Sequence, residues 1–180
     1  MLTEKERETA LALLTRSRQA LLDTVEGVSE NQAQWKPGPE RWSIHEYVEH
    51  LALGDDALVN VVRRSLQSPA QQETAEERRN REQKVRETVI PRGVNHAPER
   101  LKPNGRFASL QEAVQAFLAA RERTIAYATT TQEDLRSHFA PHPVLGQLDG
   151  YQWLAGNARH VESHAGHMRE IQGMDGYPKK

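Results

Sequence analysis

The chain contains no cysteine. That excludes a disulfide framework, a thiolate metal ligand and a cysteine nucleophile, and it agrees with a cytoplasmic setting. Long hydrophobic runs are missing too. No apolar stretch approaches the roughly 18 residues of a membrane span, and the opening MLTEKERETA holds no hydrophobic signal core. There is no excess of basic charge: Lys and Arg total 24 against 25 Asp and Glu, a formal net charge of −1. Nucleic-acid binders carry a basic surplus to displace counterions from phosphates. The one basic cluster, EERRNREQKVRE, is interleaved with acids and reads as a solvated face. The expected partner is a small-molecule substrate, with no nucleic acid and no membrane; a homodimer is compatible with the sequence. No segment alternates convincingly as a strand, and no internal repeat is apparent.

What is present is helical periodicity. The 180 residues suit one domain, residues 1–180, able to bury roughly 70% of its unfolded surface. Mean hydropathy is low, −0.78, but the apolar residues gather in periodic segments rather than scattering as in a disordered chain. Each segment opens on a capping signal. Thr3-x-x-Glu6, Ser43-x-x-Glu46 and Ser109-x-x-Glu112 read as capping boxes, and Asp149-x-x-Gln152 as a looser variant. The predicted helices cover residues 3–25, 43–66, 109–129 and 149–172. Their apolar stripes include Leu14 and Leu21, then Tyr47, Leu51 and Leu58, then Phe117 and Ile125, then Leu154, Val161 and Met168. The second and third helices are separated by some forty residues. Of these, 74–88 are rich in helix formers and predict a short polar helix, while Pro91, Pro98 and Pro103 predict extended chain. The expected fold is all-α: a four-helix bundle with a long connection between helices two and three.

Three histidines stand out against this background. His160 and His164 lie four residues apart in WLAGNARHVESHAGHM, and His50 lies in WSIHEYVEHLAL. A four-residue step places two imidazoles on one helix face, one turn apart. A third imidazole from a neighbouring helix completes a facial set, which leaves a coordination position open as catalytic zinc sites do. On the last helix Trp153, Asn157, His160, His164, His167 and Ile171 form one stripe; on the second, Glu46, His50, Gly54 and Ala57 do the same. The helix-interior glycines Gly54, Gly156 and Gly166 either open space near such a site or let helices approach closely.

The chain resembles the DinB/YfiT-like superfamily of four-helix metal-binding proteins over nearly its whole length. The resemblance is carried by RWSIHEYVEHLAL, by APERLKPNGRFASLQEAVQAFLAAR and by HPVLGQLDGYQWLAGNARHVESHAGHMREI. It implies a divalent metal ion, often nickel or zinc, held by His50, His160 and His164. It also implies that some relatives use a low-molecular-weight thiol in transfer or isomerisation reactions. His167 departs from the family pattern, where Gln is frequent. By imidazole chemistry alone, zinc, nickel, copper and iron all fit.

Further residues carry two readings each. Glu46 is a fourth ligand or proton shuttle, or else the closing acid of the Ser43 cap. His167 is a proton shuttle, an extra ligand or a surface residue. Arg121 anchors an anionic substrate or makes an interhelical salt bridge. Trp153 walls a substrate pocket or fills the core. His142 is a loop residue or rims the mouth. The functional expectation is a metal-dependent hydrolase or small-thiol-dependent transferase, with a non-catalytic metal-binding bundle as the alternative.

Overall fold

The computed structural model describes residues 1–88 and 97–179. In chain order the elements are α1 (Glu4–Val25), α2 (Glu30–Gln34), α3 (Ile44–Ser65), α4 (Ala75–Glu87), α5 (Leu110–Thr130), β1 (Phe139–His142), β2 (Gly146–Asp149) and α6 (Gly150–Gln172), with a 3-10 turn at Glu99–Leu101 before α5. The long helices α1, α3, α5 and α6 form the bundle, in which α3 packs on α5 and α6, and α1 packs on α6 and α5.

The caps explain the boundaries. Thr3, Ser43 and Asp149 each accept from the backbone N–H three residues on, while Glu6, Glu46 and Gln152 reach back to the cap's own N–H. Asp149 therefore closes a full reciprocal box rather than a loose one. Ser109 caps α5 from one side only, because Glu112 takes the N–H of Ala108 instead, at 2.8 Å. The polar stretch does form a helix, α4, capped by a box between Thr74 and Glu77. Pro91 falls outside the described residues.

Two elements differ from the sequence expectation. Helix α2 is capped by Ser29 and Gln32, a box of the same kind, but five residues are too few to display a periodic stripe. The β1–β2 hairpin pairs Phe139 with Asp149 and His142 with Gly146. It lacks alternation, its first strand contains Pro141, and Gly146 takes a φ of +82° at the end of the turn.

The core has two principal parts. One gathers Trp42, Tyr47, Leu51, Phe117, Val161 and Met168; the other gathers Leu14, Leu58, Val62, Leu135 and Leu154. A satellite of Val85, Leu145 and Leu148 seats α4 and the hairpin against Trp153 and Ala155 of α6. Where the hairpin hands over to α6 the chain is tight: a Cβ on Gly150 would lie 3.0 Å from Leu135 Cβ and 3.1 Å from Val62 Cγ1. Among the described residues, no helix is long and apolar enough to cross a membrane.

Candidate metal centre

Helices α3 and α6 bring His50, His160 and His164 together, with all three ligand nitrogens within 4.8 Å of one another. His160 Nε2 lies 3.1 Å from His50 Nε2 and 2.8 Å from His164 Nε2. Two nitrogens bound to one zinc-sized ion at about 2.1 Å each would stand about 3.0 Å apart at octahedral angles and about 3.4 Å apart at tetrahedral ones. The donor set and its spacing therefore fit a single divalent cation.

The ring orientations are fixed from behind. His50 Nδ1–H donates to the carbonyl of Leu101 at 2.8 Å, which puts the proton on Nδ1 and leaves the Nε2 lone pair facing the cluster. His164 Nδ1 lies 3.3 Å from Nδ1 of His167, so the second imidazole steadies the first in the same way. Aromatic rings complete the support: Trp42 packs on His50 with centroids 4.8 Å apart, and Tyr47 packs on His164 at 5.0 Å. The Leu101 carbonyl is itself held in place by Glu49, the residue before His50. Its fully buried carboxylate accepts from the backbone N–H groups of Asn104 at 3.0 Å, Gly105 at 3.3 Å and Arg106 at 3.0 Å. One turn of α3 thus supplies both a candidate ligand and the clamp on the segment that orients it. Sequence reasoning missed Glu49, because its partners lie more than fifty residues downstream in an irregular loop.

Burial keeps the cluster neutral. It lowers the pKa of His50, an effect partly offset by the hydrogen bond to Leu101. His160 and His164 fall well below the ordinary histidine range, through burial first and then mutual repulsion with neighbouring imidazoles. Neutral imidazoles are the form that binds metal. His160 touches the cleft, but the rest of its surroundings is enclosed.

A cleft of about 130 Å³ opens beside the cluster. Its walls are largely apolar, with Trp42, Leu58, Val61, Val144 and Trp153 among them, and all three ligand histidines line it. Gly54 faces it with nothing within 4 Å of a hypothetical Cβ, so the missing side chain does open space. Gly156 also lines the cleft, but its hypothetical Cβ would meet Val85 at 3.7 Å, so this glycine serves close packing as well.

The remaining candidates sort by position. Trp153 walls the cleft. His142 lines it too, from the tip of the hairpin, with its ring 4.8 Å from that of Trp153. Glu46 stands apart from the cluster: one oxygen receives the Ser43 N–H at 2.8 Å and the other pairs with Lys36 at 2.8 Å. Its geometry is that of the cap, one of the two sequence readings. His167 is buried behind His164 and does not line the cleft.

Arg121 likewise does not reach the cleft. It is fully buried, pairing with Asp55 at 2.7 Å and donating to Asn157 Oδ1, Ser17 Oγ and the Leu14 carbonyl. Of its two sequence readings, the arrangement matches the interhelical ion pair, which ties all four long helices together. A charge at zero exposure must find its partners inside the protein, and Asp55 supplies the opposite one.

The uncharacterized protein YuaE of Bacillus subtilis (strain 168) is 24% identical to the chain over 163 residues, covering 90% of this chain and 96% of that protein. The profile of the DinB superfamily matches residues 13–168, a span that runs from α1 to the last turns of α6 and takes in all three clustered histidines. The chain belongs to the DinB superfamily.

Proposed function

We propose that the chain is a metal-dependent enzyme, a hydrolase or a small-thiol-dependent S-transferase, acting on a small molecule in the cleft beside the three-histidine cluster. The observation that carries this reading is the gathering of three imidazole nitrogens, within 4.8 Å of one another, beside an apolar cleft. His50, His160 and His164 would hold one divalent ion, zinc or nickel. When bound, such an ion supplies a Lewis acid that polarises a substrate and lowers the pKa of a water or thiol.

The chain's own residues do the rest. Leu101 and His167 keep two of the ligand rings in register. Trp42, Leu58 and Trp153 exclude water from the reacting end of the cleft. Because the chain has no cysteine, any thiol is a separate small molecule. Among the described residues the cluster comprises three ligands and no fourth, which favours an open site over a closed structural one.

The rival reading is a non-catalytic bundle in which the ion ties α3 to α6 or serves sensing, and it requires a closed coordination sphere. Cobalt substitution separates the two. An open site changes its visible spectrum when a small thiol or azide is added, whereas a spectrum indifferent to both ligands contradicts the enzyme reading.

A further inference from the structure

His142 carries a ring N–H that neither the histidine cluster nor the fold uses. It stands at the last position of β1, where its Nδ1 accepts two backbone hydrogen bonds, from Val144 N–H and Leu145 N–H, both at 3.1 Å. A ring nitrogen that accepts cannot carry the proton, so the neutral imidazole must be protonated at Nε2. The ring is also fixed in orientation, since it packs on Trp153 and is tied to its own turn. Among the described residues no acceptor engages Nε2–H, and the ring lines the cleft that the three ligand histidines share.

The other polar groups of the cleft are committed, peripheral or, like Trp153 Nε1, which has no partner among the described residues, buried from solvent. His50, His160 and His164 face one another. Asn157 accepts from Arg121 at 2.8 Å through Oδ1 and is bonded to Asp55 as well. Arg100 is exposed at the rim. Burial pushes His142 down to about 4, so it stays neutral and keeps this tautomer at physiological pH. The result is a fixed, uncharged hydrogen-bond donor on an otherwise apolar wall.

We propose that His142 is a specificity-determining residue whose Nε2–H binds an uncharged oxygen acceptor of the substrate, so that the cleft selects small, largely apolar molecules bearing a carbonyl group. This deepens the enzyme reading above and rests on it for the site's purpose, although the donor itself does not depend on the ion. Apart from the Trp153 indole N–H, which is buried from solvent, the wall of Trp153, Pro143 and Val144 offers a carbonyl oxygen no other side-chain donor. An unmatched acceptor there would lose its water hydrogen bonds without replacement.

The test uses two probes of nearly equal shape, acetophenone and α-methylstyrene, which differ in the presence of the carbonyl oxygen. Each is titrated into protein carrying 15N-labelled histidine, and metal content is measured alongside. The expected results are a protonated Nε2 on His142, a shift of that resonance with acetophenone, and roughly tenfold tighter binding of acetophenone. His142→Gln, which retains an N–H donor, should keep part of the preference, and His142→Phe should abolish it with metal content unchanged. Equal affinity for the two probes, no binding of either, or a proton on Nδ1 would overturn the proposal, and none of these wild-type measurements depends on a variant folding. Loss of metal in His142→Phe would also overturn it, by showing a ligand in place of a donor. Protein that binds no divalent ion yet still prefers acetophenone would retire the metal reading and leave the donor standing.

Discussion

Buried charge puts individual side chains under the strictest demands. Arg121 and Asp55 are both fully buried, and each is neutralised chiefly by the other. Truncating one partner leaves an uncompensated charge in the core, a change that costs about 3–5 kcal/mol. Arg121→Ala should therefore lose that much stability in urea unfolding, and a loss below about 1 kcal/mol would show that the pair contributes little. His142 gives a pH signature of the opposite kind. Its folded pKa, about 4, lies below the ordinary value of 6.5. Between those two values the unfolded chain takes up a proton that the folded chain refuses, so the contribution of His142 is complete above pH 6.5 and is lost as pH falls toward 4. With metal-free protein, the drop in unfolding free energy from pH 7 to pH 5 should be smaller in His142→Gln than in the parent chain. An identical drop would contradict the burial assigned to the ring.

These side chains also mark where sequence reasoning stops. The ligands were legible because His160 and His164 lie on one helix face by spacing alone, and because His50 sits on a recognisable stripe. Glu49 was not, since its role depends on the loop N–H groups of residues 104–106; His142 was legible only as a loop residue or one at the mouth, since its ring orientation depends on the N–H groups of its own turn. Arg121 had two readings in sequence, and only the position of Asp55, sixty-six residues away, selects the ion pair.

The helices owe their ends to short-range chemistry, which is why they were the most readable part of the fold. The four long helices start one residue after their caps, at Thr3, Ser43, Ser109 and Asp149. The hairpin before α6 was unreadable because two four-residue strands containing a proline carry no periodic signal; it persists by packing Leu145 and Leu148 on Val85. Asp149 couples the two elements, capping α6 while pairing with Arg136 at 2.8 Å. Asp149→Ala removes both functions and should cost about 1–3 kcal/mol. Asp149→Asn keeps the cap and should cost less. Equal melting temperatures for the two variants would separate the cap from stability.

In the assembled bundle, α3 and α6 each carry a core stripe beside a histidine stripe, so the same packing that buries Leu51 and Val161 brings His50 onto His160 and His164. The four apolar stripes form a core that needs no ion, unlike a zinc finger. Chelation should therefore lower the melting temperature and leave the helical circular dichroism intact; complete unfolding by EDTA at room temperature would assign the ion a structural role. The most direct test is the divalent metal content of the untagged protein beside that of His160→Ala, measured by elemental analysis after equilibration with zinc or nickel and removal of the unbound ion. About one ion per chain is expected in the parent protein. Most of it should be lost in the variant, since His160 is the ring that bridges the other two. Full occupancy in His160→Ala, or none in the parent protein, would contradict a three-histidine metal centre.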